Sequence, residues 1–148
     1  MGRVNVVRVV LGGLLAGLVI NAGEFVLNDV VLADEMHTTL ARLGLAEPGG
    51  AAIFSFVVLG FTLGLMTVWL YAAIRPRYGA GPKTSVTAGV VAWYLACVYP
   101  TMFMVVLGML SRSAALTVLV WELVEVPLAA AAGAWLYQEE GVGARIAA

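Results

Sequence analysis

Four apolar stretches dominate this chain, each long enough to cross a bilayer, and the connections between them are mostly short. A spanning helix needs about 20 mostly apolar residues, because a rise of 1.5 Å per residue must cover about 30 Å of hydrocarbon. The stretches cover residues 9–32, 51–74, 84–110 and 114–137. Only 11% of the residues are charged, against about 25% in an ordinary soluble domain. That is too little polar surface to cover a water-soluble protein of 148 residues. In lipid each backbone polar group must be satisfied within its own segment, so the spans are expected to be helices. The first apolar stretch runs past the length of a secretory signal, and no small-x-small cleavage site follows it, so it reads as an uncleaved span.

The expected fold is all-α: an integral membrane four-helix bundle, up-and-down, forming one domain over residues 1–148. Arg3, Arg8, Arg75, Arg77, Lys83 and Arg145 flank one side of the spans, and Arg42 and Arg112 the other. Six basic residues against two predict both termini in the cytoplasm, N-in and C-in. The chain looks like a small bacterial inner (plasma) membrane protein. Residues 33–46 form the longest outer connection, where Met36, Leu40 and Leu43 recur at helical spacing and predict a short amphipathic surface helix. Residues 75–83 read as a compact Gly/Pro loop, and residues 111–113 as a tight link between the last two spans. Trp69, Tyr71, Trp135 and Tyr137 read as an aromatic belt at the cytoplasmic interface.

Several function classes drop out. The basic residues are scattered, so no nucleic-acid partner is expected. The single cysteine, Cys97, cannot form an internal disulfide or a CxxC pair. One histidine, His37, cannot supply both axial ligands of a haem. No P-loop, GxGxxG or HExxH pattern occurs, and no nucleophile–base pair, so an enzyme is disfavoured. No cofactor is predicted beyond a bound proton or cation, and the sequence specifies no metal.

Against this apolar background, a small group of polar residues stands out. Gly13, Gly17, Asn21, Glu24 and Asn28 recur every three or four residues on the first span and so share one helix face. Gly60 and Gly64 mark a second face, on span two, where another helix can approach closely. Glu122 and Glu125 lie one turn apart on span four. Glu24 and Glu122 each lie about 12 Å in from the outer end of their span. Pro100 on span three frees the carbonyl of Ala96 at a similar depth, with Tyr99 and Thr101 beside it. One outer polar cavity is expected, lined by Asn21, Glu24, Asn28, Tyr99, Thr101, Glu122 and Glu125.

No lysine or arginine lies between Arg8 and Arg42, or between Arg112 and Arg145. Uncompensated carboxylates inside a bilayer cost several kcal/mol, which is relieved by protonation, a bound cation or entering water. The expected function is a proton- or cation-coupled transporter or channel component. The alternative is a structural or accessory subunit of a larger membrane complex, with the acids as hydrogen-bonded contacts between helices. A lipid-binding or lipid-modifying protein ranks behind both. The expected partners are the lipid bilayer and either a second copy, as a dimer, or a larger membrane complex.

Overall fold

A computed structural model describes residues 4–137 of the chain. Arg3 and Arg145, which carry part of the predicted orientation, lie outside the described residues. Every regular element among the described residues is helical, and four helical stretches are long and apolar enough to cross a membrane. The first is α1 (Val6–Val26), prolonged by a π-helical turn over Leu27–Val31. A short helix, α2 (Ala33–Leu43), follows, and then α3 (Gly50–Tyr78). The third stretch is interrupted: α4 (Pro82–Trp93) passes through a π-helical turn (Tyr94–Val98) into α5 (Tyr99–Val106). The fourth is α6 (Arg112–Leu136).

Local chemistry explains the boundaries. Asn5 Oδ1 accepts from the Arg8 N–H at 3.1 Å and starts α1. Ser111 does the same for α6, accepting from the Ala114 N–H at 3.1 Å. Gly44 ends α2 at φ 67°, a left-handed conformation in which a Cβ would be strained. The loop expected over residues 75–83 is shorter than its composition suggests. Arg75-Pro76-Arg77-Tyr78 continues α3, and only residues 79–81 turn the chain before Pro82 opens α4. A proline so near a helix end removes a single backbone bond, which the preceding turns tolerate.

The four stretches form a ring in which α1 packs on α3 and α6, and α4 closes the circuit between α3 and α6. Small residues set the spacing. A Cβ on Gly64 would lie 2.6 Å from the Gly13 carbonyl oxygen and 2.7 Å from the Gly17 Cα. A Cβ on Gly133 of α6 would lie 2.6 Å from the Gly12 carbonyl oxygen. Backbone therefore meets backbone on both flanks of α1, which maximises dispersion contact where lipid offers no hydrophobic advantage to association. Ala16, Ile20, Val68 and Ala129 fill the centre.

Nearer the end opposite α2, Val9, Tyr71, Ala72, Ala88, Ala134 and Tyr137 form a second buried cluster. The rings of Tyr71 and Tyr137 meet edge to face with centroids 5.9 Å apart, and Arg75 stacks over Tyr137 at 5.4 Å. Both tyrosines are therefore core, not belt. Trp69 and Trp135 do face outward.

The contact at Gly64 yields a direct test. Gly64→Ala forces a methyl group into two backbones that cannot yield cheaply. It should lower stability by about 1–3 kcal/mol, the usual cost of overpacking, read as an earlier unfolding midpoint in mixed micelles. An unchanged midpoint would show that α1 and α3 do not touch there.

Candidate functional site

At the end of the bundle nearer α2, both interrupted stretches widen. Beside Glu24, the Asn28 side-chain amide donates to the Glu24 backbone carbonyl at 2.8 Å and to Glu24 Oε2 at 2.9 Å. It takes an acceptor that an α-helical N–H would use, and the chain relaxes into the π-helical turn, closed by the Leu32 N–H on the Leu27 carbonyl at 2.8 Å. In the third stretch Pro100 has no N–H to give. The backbone shifts to i→i+5 pairing, with the Tyr99 N–H on the Tyr94 carbonyl.

These two turns and α6 gather three carboxylates. Glu24 (α1) lies within electrostatic range of Glu122 and Glu125 (α6). Cys97, in the second π-helical turn, is buried near the Glu122 carboxylate. Glu125 is only 7% exposed and lies on the backbone of Gly23, where a Cβ would strike the carboxylate. Its Oε2 accepts from Trp121 Nε1 at 2.6 Å. Its Oε1, and Oε2 of Glu122, are buried and have no hydrogen-bond partner. A buried carboxylate oxygen without a donor forfeits the solvation it had in water, so these two atoms mark where a proton, a cation or water would be most stabilising. Among the described residues, no group of three or more His, Cys, Asp or Glu side chains converges tightly enough to hold a metal ion.

The other candidate residues are distributed as follows. Asn21 turns toward α3 and donates to the Gly17 carbonyl at 2.8 Å and the Val57 carbonyl at 3.3 Å, with Gly60 packed against its amide. It bonds α1 to α3 instead of reaching the acids. Asn28 stays with Glu24. Thr101 is buried on α5, three residues beyond the π-helical turn. Tyr99 is 73% exposed on the outside of the bundle. Gly13, Gly17, Gly60 and Gly64 all lie at the α1–α3 contact. Of the seven residues expected to line one cavity, the three acids and Asn28 come together, Asn21 and Tyr99 do not join them, and Thr101 is buried on α5.

Four residues in or beside the cluster belong to no expected site. The spacing of Trp121 to Glu125, i to i+4, places an indole donor on the acid's own face and is readable from the sequence. Gly23 is the one residue type at its position that leaves room for a carboxylate from α6. Cys97 looks like any small core residue in an apolar run. Pro127 sits buried in α6 with Gly89 packed on its backbone, and it frees the carbonyl of Leu123, between the two acids of that helix.

Beside the acids, along α6, runs an open groove of about 660 Å³. Val19 and Gly23 of α1 form one wall, and Leu116, Val120, Val124 and Leu128 of α6 the other. Trp121 and Glu125 also line it.

No family model, curated protein or solved structure matches the chain. A fold of this kind does not fix a function, which follows from the chemistry of the site.

Trp121→Phe keeps the ring and removes the single donor found on the Glu125 carboxylate. The loss should be about 1–3 kcal/mol of stability, and much smaller in a Glu125→Leu background, where no acceptor remains. Equal losses in the two backgrounds would show that the indole N–H does not serve the acid.

Proposed function

We propose that this protein is a proton- or cation-coupled membrane transporter or channel component, and that Glu24, Glu122 and Glu125 bind the ion. The observation that carries this is the pair of buried carboxylate oxygens, Glu122 Oε2 and Glu125 Oε1, that lack a hydrogen-bond partner. No basic side chain occurs in the stretches of sequence that carry these acids. A helix contact that served only as glue would pair both oxygens of each acid, because an orphaned acceptor destabilises the contact it is meant to hold. Protons or a cation supply the missing partner reversibly. The acids lie on α1 and α6, so occupancy changes the electrostatic repulsion between two helices and couples binding to their separation. Asn28, bonded to Glu24, holds that carboxylate in place.

Purified chain reconstituted into liposomes should carry flux driven by a proton gradient. The Glu24→Gln/Glu122→Gln variant, matched for folded protein, should lose it. Undiminished flux in that variant would refute the assignment. A stoichiometric partner that co-purifies from native membrane and covers the acids would replace it with an accessory-subunit role.

We further propose that both termini face the cytoplasm of a bacterial inner membrane, with Arg8, Arg75, Arg77 and Lys83 at the cytoplasmic interface and α2 outside. A fluorescent protein fused after Ala148 should then fold and fluoresce, and alkaline phosphatase at the same point should stay inactive. The reverse pattern would invert the topology.

A further inference from the structure

The groove beside the acids is the second feature of the site that calls for an occupant. Its walls are aliphatic, and Leu116, Val120, Val124 and Leu128 are exposed along α6, so it opens sideways, toward lipid in a membrane. Its one ionisable lining residue is Glu125. That side chain is more than nine-tenths buried and keeps one oxygen without a partner. Trp121, which holds the other oxygen, adds an aromatic surface beside it.

A volume of about 660 Å³ falls within the range of small-molecule sites and is far smaller than a partner helix of several turns would require. Apolar walls with one anionic group select a ligand of matching pattern: a bulky hydrophobic body carrying one positive charge. An inorganic cation would leave the aliphatic walls empty. A neutral hydrophobe would leave the carboxylate oxygen unpaired. In a low-dielectric groove the charge attraction is screened far less than in water, and an indole face favours an onium or ammonium group further.

We infer that the groove between α1 and α6 binds a monovalent hydrophobic organic cation, entering laterally from the bilayer, with Glu125 as its counter-ion. This deepens the preceding proposal and rests on its reading of the acids as an unneutralised ion site.

Tetraphenylphosphonium is a suitable probe, titrated against the purified full chain in lipid nanodiscs, with tetraphenylmethane-type neutral analogues as the control. Saturable binding near one probe per chain is expected, detected by calorimetry and by quenching of tryptophan fluorescence. Glu125→Gln should weaken it about thirtyfold or more, the lower end of the cost of removing one partner of a buried charge pair. Val120→Trp fills the groove from an exposed position that should not disturb folding, and it should abolish saturable binding. No saturable binding, equal binding of the neutral analogue, or binding indifferent to both substitutions would overturn the inference. So would a second copy of the chain seated in the groove in cross-linking of the nanodisc sample. The two proposals fail separately. Proton flux without probe binding removes the groove assignment alone, and probe binding without flux removes transport and leaves the groove.

Discussion

Where Gly12 meets Gly133, and Gly64 meets Gly13 and Gly17, side chains are reduced to hydrogen, and α1 touches α6 and α3 through bare backbone. Everything else about the bundle follows from that closeness. Helices in lipid gain nothing from burying apolar surface as such, so they hold together through dense short-range contact. Because α1 is held tightly on both sides, its other residues have little freedom in where they point. Asn21 must bond to α3, and Glu24 falls opposite the acids of α6. The contact that builds the bundle thus also places acidic side chains beside one another.

Helical regularity is lost near those acids. Two π-helical turns lie beside the acids, one at the Asn28 amide and one at Pro100, and Pro127 removes one backbone donor inside the continuous α6 two residues past Glu125. Each loosens the backbone where a rigid α-helix would leave no space for a carboxyl group. The opposite end is packed with alanine and two interlocked tyrosines, and no π-helical turn occurs there among the described residues.

The sequence made the four spans plain, because a run of apolar residues that long has few alternatives. The glycine faces were readable for the same reason: four-residue spacing places Gly13 with Gly17, and Gly60 with Gly64, whatever the neighbours are. Periodicity shows which residues share a face but not which neighbour that face meets. Asn21 and Glu24 lie on one stripe, yet one serves α3 and the other α6, because the stripe is wide enough to touch both. Tyr99 and Pro100 are both exposed and only Thr101 turns inward, because successive residues on a helix face different directions and the sequence alone does not show which of them meets the core. Gly23 was invisible as a site residue because its contribution is an absence of side chain, meaningful only once Glu125 is known to lie on it.

Ser111 links the surface helix to this arrangement. Its hydroxyl accepts the Ala114 N–H in the first turn of α6 and at the same time donates to Glu35 Oε1 of α2 at 2.5 Å. Arg42 fixes the far end of α2 to the carbonyls of Gly108 and Met109 just before that serine. The surface helix α2 is therefore tied, through Ser111 and Arg42, to the start of the helix that bears two of the three acids. The surface helix and the helix that bears Glu122 and Glu125 share one capping hydroxyl, so a Ser111 that lets go of Glu35 also changes what holds the first turn of α6.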